Sequence, residues 1–133
     1  MTTNPNYNFK SLRYQSPEAN TNDTATEKLT VFELGESKTI DFVSLDGTRQ
    51  NFPYIQYLTC WFGKEENERS IKIFFSTHLV TIKGFCLEKL YEALLEMKVK
   101  SVRAHNERYA DMIGEDATFV SSIRVSWKKE YSQ

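Results

Sequence analysis

The segment of residues 70–99 changes its hydrophobic period once, at Gly84. Before that glycine, large apolar residues alternate with their neighbours, in the period of two that is typical of β-strands: Ile71, Ile73, Phe75, Val80 and Ile82. After it they recur three and four residues apart, as on the buried face of a helix: Leu87, Leu90, Tyr91, Leu94 and Leu95. The segment therefore predicts two strands and then a helix over about residues 86–97.

Other segments extend the strand pattern. The Asp46-Gly47 dipeptide favours a tight hairpin turn, because glycine tolerates positive φ. Residues 54–62 are apolar or aromatic on both alternating faces, which predicts a central strand covered on both sides. Asn106 can cap a short helix over about residues 107–113. The other predicted strands are residues 29–34, 39–45, 48–55, 99–104 and 119–128.

Together these elements predict the α+β class. We expect a mostly antiparallel sheet of about six or seven strands, with the main helix packed on it, and one short helix. A single domain over residues 28–133 is long enough for one hydrophobic core.

The first 27 residues are expected to form a flexible N-terminal arm. Residues 17–27 are polar and cannot bury enough surface to offset the entropy of ordering them. Four large apolar residues precede them and fit either a mobile tail or an arm that docks on a partner or on its own domain: Tyr7, Phe9, Leu12 and Tyr14.

The overall charge and the cysteines narrow the classes of function. A net charge of −1 gives no bulk field to steer the chain toward nucleic acid or an anionic membrane. No apolar run approaches the roughly 20 residues that span a bilayer, and the first residues lack the basic and apolar parts of a secretory signal. We therefore expect no membrane partner and a cytoplasmic protein. Cys60 and Cys86 fit small buried side chains in a reducing compartment rather than a disulfide.

Motifs for catalysis or for a cofactor are missing from the sequence. His78 lies in a predicted hairpin turn beside Ser76 and Thr77, where its ring is expected to bond a backbone carbonyl rather than act as a base. His105 precedes the capping Asn106 and is expected at the surface. The two histidines and two cysteines lack the spacing of a zinc site, and the five glycines never form a phosphate-binding loop. We predict no catalytic residue, no metal and no cofactor.

The segment of residues 63–69 is strongly charged. It is expected to be a solvated loop between two strands. Its acidic side chains, Glu65, Glu66 and Glu68, do not follow the offsets of a calcium loop, which makes a metal site there the weaker alternative.

Basic residues gather in two segments, residues 98–108 and 124–129. If their strands were neighbours, they would form a face suited to phosphate contacts and base stacking. The candidate contacts for an anion or nucleic acid are Lys100, Arg103, Arg108, Arg124, Trp127 and Lys128. Acidic residues within the same segments weaken this hypothesis, and lysines that protect sheet edges explain most of the pattern.

Three functional hypotheses therefore remain open. The leading one is a small non-enzymatic module that binds a protein partner or forms a homo-oligomer. The second is a nucleic-acid-binding protein that uses the basic face. The third is an enzyme without a readable motif.

Overall fold

A computed structural model describes residues 29–128, which form two four-stranded β-sheets and one main helix. In chain order the elements are β1 (Phe32–Leu34), β2 (Thr39–Val43), β3 (Arg49–Pro53), β4 (Tyr57–Glu65), β5 (Glu68–Phe75), β6 (His78–Phe85), α1 (Glu88–Leu95), β7 (Val99–Arg103) and β8 (Phe119–Trp127). Short 3-10 turns occupy Tyr54–Gln56 and Glu107–Met112. The first sheet has the order β1-β7-β2-β3, and the second has the order β4-β5-β6-β8.

The mixed α and β composition with a majority of strand agrees with the predicted class, but the prediction of one sheet was wrong. Residues 29–128 form eight strands in two sheets. The pairings are antiparallel except between β2 and β7, which run parallel. A period of two shows that each strand buries one face, yet it is the same whether the strands share one sheet or face one another in two.

The core lies between the buried faces of the two sheets. Ile40, Phe42 and Phe52 project from the first sheet toward Ile73 and Phe75 of the second, and all five are almost completely buried. The sheets also meet where β7 and β8 approach, because the backbone N–H of His105 donates to the carbonyl of Val120 at 2.9 Å. These contacts join the two sheets into one packed unit.

Helix α1 contacts both sheets and joins them. The prediction was instead that it packs on a single sheet. Leu90 and Leu94 are its buried residues, and the helix contacts both β4 of the second sheet and β7 of the first. Tyr91 packs its ring against Phe62 of β4, with 5.2 Å between the ring centroids. The helix begins at Glu88 and ends at Leu95, slightly inside the predicted limits.

Strand β4 lies at the edge of the second sheet, so the prediction of a central strand was wrong. Its inward side chains pack on the core, whereas Leu58 and Trp61 are exposed. In β4, the apolar pattern on both faces therefore indicates an exposed outward face and not burial of both faces. The predicted loop of residues 63–69 is also mostly strand, because only Glu66 and Asn67 form the turn. Both have positive φ, as a two-residue type I′ hairpin requires.

Several local predictions are confirmed. The Asp46-Gly47 turn joins β2 to β3, and the Asn106 side chain caps the second 3-10 turn by accepting from the N–H of Arg108. Both cysteines are free thiols.

Within residues 29–128, no helix has the length and apolarity needed to cross a membrane. The predicted arm of residues 1–27, with Tyr7, Phe9, Leu12 and Tyr14, lies outside the described residues.

Gly84 is the one glycine at which a side chain would collide with the backbone of a neighbouring strand. A Cβ placed there would overlap the carbonyl oxygen of Phe119, at the point where the register between β6 and β8 shifts. We expect Gly84→Ala to destabilise the fold by at least about 2 kcal/mol in a urea melt, because backbone must move. Gly114→Ala is the control, since a Cβ there meets nothing within 4 Å, and it should change stability by less than about 0.5 kcal/mol. Equal melts would show that the strands tolerate separation here.

The packing of α1 can be tested at two adjacent leucines. Leu94 is buried between the sheets, whereas Leu95 is about half exposed. We expect Leu94→Ala to lower the free energy of unfolding by roughly 2–5 kcal/mol, because it leaves a cavity in the core. Leu95→Ala should cost less than about 1 kcal/mol in the same urea melts at one protein concentration. A loss at Leu94 no larger than that at Leu95 would contradict the packing described here.

Candidate interaction surface

Exposed apolar side chains gather at the end of the molecule where β7 begins. Ten large apolar residues among residues 29–128 are exposed, and five of them occur in the segments that meet there: Leu34, Ile55, Leu58, Leu95 and Met97. We call this set the apolar end. Ile55 is 90% exposed, so it makes almost no contact with the rest of residues 29–128. A gathering of this kind on a small domain marks an interaction site, because scattered single residues are the norm elsewhere.

The segments of the apolar end are held together at Val99. The Tyr54 hydroxyl donates to the Val99 carbonyl at 2.5 Å and lies 3.2 Å from the Val99 nitrogen, as its hydrogen-bond acceptor. Leu34 pairs with Val99 in the ladder between β1 and β7. Ile55 follows Tyr54 directly and Met97 precedes Val99 by two residues, so their backbones lie close to this hydrogen bond.

Met97 ends α1 in a conformation that normally selects glycine. Its φ is 57°, in the left-handed region. The N–H of Met97 donates to the carbonyl of Leu94 at 3.0 Å and that of Lys98 to the carbonyl of Ala93 at 3.0 Å, which is the hydrogen-bond pattern of a Schellman cap. A residue with a Cβ at this position costs on the order of 1 kcal/mol relative to glycine. The chain bears that cost and presents an exposed methionine, which is an adaptable apolar contact residue.

Charged residues around the apolar end balance one another. The two segments that flank it, residues 33–38 and 96–100, contain three exposed acidic and three exposed basic side chains: Glu33, Glu36, Glu96, Lys38, Lys98 and Lys100. One pair is formed within the chain, between Lys98 and Glu36 at 3.3 Å. A rim of balanced sign does not attract a strongly charged partner, but it is complementary to a second copy of itself.

The predicted basic face is divided between the two sheets. Lys100 and Arg103 belong to β7 of the first sheet, whereas Arg124 and Trp127 belong to β8 of the second, so the two strands are not hydrogen-bonded neighbours. Arg108 packs its guanidinium on its own neighbour Tyr109, 4.9 Å from the ring centroid. Lys128 follows β8 and donates its N–H to the carbonyl of Thr77. Nucleic-acid binding by these residues stays a prediction. The pairing of β7 with β8 on which it was based does not occur.

His78 is buried in an aromatic contact between the sheets. Its ring lies 4.2 Å from that of Trp127 and 5.1 Å from that of Phe52. Its Nδ1 is 2.7 Å from the hydroxyl of Thr77, so the predicted bond to a backbone carbonyl was wrong. The hydrogen bond to an adjacent side chain positions the ring for packing, and a structural role accounts for the residue.

His105 is a structural residue as well. Its Nε2 lies 2.6 Å from the carbonyl oxygen of Thr30, and because a carbonyl only accepts, Nε2 carries the proton. This bond ties the start of the described chain to the end of β7. Among residues 29–128 the histidines, cysteines and carboxylates form no group of three that could hold a metal ion.

Two side chains of β4, those of Cys60 and Tyr57, have strongly raised pKa values. Burial raises the pKa of the Cys60 thiol to about 12 and that of the Tyr57 hydroxyl to about 12. Both side chains belong to the partly buried set that packs on the core. A thiol with a raised pKa has little thiolate at neutral pH and is a poor nucleophile. This environment makes Cys60 a packing residue and not a catalytic one.

Comparison with known proteins gives no match to any protein-family model, curated protein or solved structure. Four residues of the apolar end were not predicted to be part of a site, and the fifth, Leu95, was predicted to belong to the buried stripe of the helix. The available signal was weak, because residues 34, 55, 58 and 97 lie far apart in the sequence and only the fold gathers them.

The raised pKa of Cys60 predicts how its reactivity depends on pH. In a Cys86→Ser variant, which keeps Cys60 as the sole cysteine, alkylation by iodoacetamide should accelerate about tenfold per pH unit up to pH 11 without a plateau, because the thiolate is the reactive form. The same variant unfolded in urea should reach its plateau above the ordinary thiol pKa of 9.0. A plateau near pH 9 in the folded protein would show that Cys60 is not buried.

Proposed function

We propose that this chain is a non-enzymatic interaction module whose apolar end binds a second copy of the chain. The observation that carries the proposal is the gathering of five exposed apolar residues around Val99, including an almost fully exposed Ile55. Burying such residues is favourable, at roughly 25 cal/mol for each Å² removed from water.

The balanced rim favours a second copy as the occupant. In a dimer with twofold symmetry the same surface lies on both sides, so each basic segment can face the acidic segment of the other copy. Glu36 and Lys98 show the geometry that such contacts need, because they already pair within one chain. A partner with a large net charge would leave three rim charges opposed by their own sign.

Met97 supports the same occupant. Glycine at this position would relieve the left-handed backbone, so the methionine brings no gain to the isolated chain. It gains a role when its side chain is covered, since methionine adapts its shape to an irregular apolar contact. The free-energy cost of the left-handed backbone in the single chain is then offset by burial of the Met97 side chain in the dimer.

The two free cysteines support a cytoplasmic setting for this module. Both are partly buried and unpaired, as is typical of proteins in a reducing compartment. This setting is part of the proposal.

Self-association is measured on the full chain by sedimentation equilibrium. At about 100 µM we expect twice the mass of one chain, falling toward one chain on dilution. Leu58→Asp should give a single chain at every concentration, because a charge would be buried in the contact. Leu45→Asp is the matched control, since Leu45 is equally exposed, at 56%, but lies in the turn between β2 and β3. A single-chain mass for the wild type at the highest concentration would overturn the proposal.

Substitution of Met97 separates folding from assembly. We expect Met97→Gly to raise the free energy of unfolding of the single chain by about 1 kcal/mol, measured in the Leu58→Asp background. In the otherwise wild-type chain the same substitution should weaken dimerisation at least about threefold. A change that stabilised the chain and left the dimer unaffected would show that Met97 has no part in the contact.

A further inference from the structure

We propose that the outward face of the second sheet binds a neutral saccharide, with the indole ring of Trp61 as the platform. This face is opposite the core-facing side of the same strands and separate from the apolar end. Cross-strand pairing brings together one row of side chains from all four strands: Trp61, Lys72, Thr81 and Arg124. The adjacent row contains Gly63, Ser70, Lys83 and Ser122. We call these two rows the outer face.

The ring of Trp61 lies flat on the strand because Gly63 has no side chain. A Cβ at Gly63 would come within 2.6 Å and 2.7 Å of two carbon atoms of the indole. Trp61 as a whole residue is nevertheless 42% exposed. Packing over a strand glycine explains why the Trp61 ring contacts Gly63. It does not explain why so much of Trp61 stays exposed. The apolar side of a sugar ring packs on such a platform through its C–H groups.

The charges beside the ring are paired with one another. Lys72 Nζ lies 2.9 Å from Glu65 Oε2 and 5.4 Å from the centroid of the Trp61 ring. The hydrogen bond from Lys72 lowers the pKa of Glu65, which favours the carboxylate form of Glu65. Lys83 Nζ lies 3.9 Å from Glu66 and 4.0 Å from Glu68. These distances allow ionic attraction but exceed the range of a direct hydrogen bond, so they leave the Lys83 ammonium able to donate to a ligand.

The outer face also has an unsatisfied hydroxyl beneath it. Ser70 lies between Gly63 and Lys83, it is fully buried, and its Oγ has no hydrogen-bond partner among the described residues. Leaving a buried hydroxyl without a partner costs roughly 1–3 kcal/mol. Such groups need an explanation, and a ligand hydroxyl that reached Ser70 would supply the missing hydrogen bond.

The charge balance favours a neutral ligand over nucleic acid. Three basic side chains, Lys72, Lys83 and Arg124, share this region with Glu65, Glu66 and Glu68. A phosphate would have to approach three carboxylates, whereas a sugar hydroxyl can donate to a carboxylate and accept from an ammonium. Hydrogen bonds to charged partners are about twice as strong as those between neutral groups. The outer face therefore combines an apolar platform with charged hydrogen-bonding groups, which matches the two sides of a saccharide.

Binding can be followed by the fluorescence of Trp61. Trp127→Phe leaves Trp61 as the only tryptophan of the chain. In this variant we titrate five neutral hexasaccharides, built from α-linked glucose, β-linked glucose, mannose, xylose and N-acetylglucosamine. We expect at least one to shift the emission with a Kd of about 0.1–10 mM, the range of a small exposed site.

Calorimetry on the wild-type chain then tests the residue. Trp61→Ala should weaken binding of that hexasaccharide at least tenfold, whereas Trp127→Ala, a change of an exposed tryptophan in the same sheet, should leave it within twofold. Leu58→Asp should bind the sugar as the wild type does, so failure of the dimer and failure of this proposal are distinguishable. Absence of binding by all five sugars at about 10 mM would overturn the proposal. So would binding of oligo-dT in a Trp61-dependent way without any sugar binding.

Discussion

The contact between Phe52 and Phe75 is the interaction on which the rest of the structure depends. The two rings stack with centroids 4.4 Å apart, and Phe42 meets both edge-on, at 6.0 Å and 6.2 Å. Phe75 belongs to the second sheet and the other two to the first, so this cluster joins the sheets. Full burial of each phenylalanine contributes roughly 1.5–3 kcal/mol, and each aromatic pair adds about 0.5–1.5 kcal/mol. Without that contact, each sheet would expose an apolar face to water.

Joining the sheets through one face fixes what the other surfaces present. On the strands, every residue between two core residues must point outward, which places Trp61 and Lys72 side by side on the outer face. At the ends of the strands alternation no longer applies, and turns set the direction of each side chain. Ile55 and Met97 lie in such turns, and they are exposed because no element of residues 29–128 covers them. The two proposed surfaces therefore arise from different constraints, one from the sheet and one from its ends.

The sequence predicted most of the local structure and little of its assembly. The change of period at Gly84, the Asp46-Gly47 turn and the Asn106 cap are local signals, and each appears in the structure as expected. The division into two sheets depends on pairing between distant strands, which a period of two does not encode. For the same reason β4 was predicted to be central, although it lies at an edge and its Trp61 faces outward. Both surfaces combine residues from separate segments, so neither was visible before the fold.

Several residues contradict local preferences, among them the left-handed Cys86, and two of them, Met97 and Ser70, each lie in one of the proposed surfaces. Met97 holds a left-handed backbone at a cost on the order of 1 kcal/mol, and the buried Ser70 hydroxyl lacks a partner among residues 29–128 at roughly 1–3 kcal/mol. Domains of this size are stable by only about 5–15 kcal/mol, so these costs are appreciable. Residues that oppose local preference persist where function needs them, because a neutral substitution would otherwise remove the cost. Glycine at position 97 and alanine at position 70 would remove these costs, and the two proposals give Met97 and Ser70 a role that offsets them.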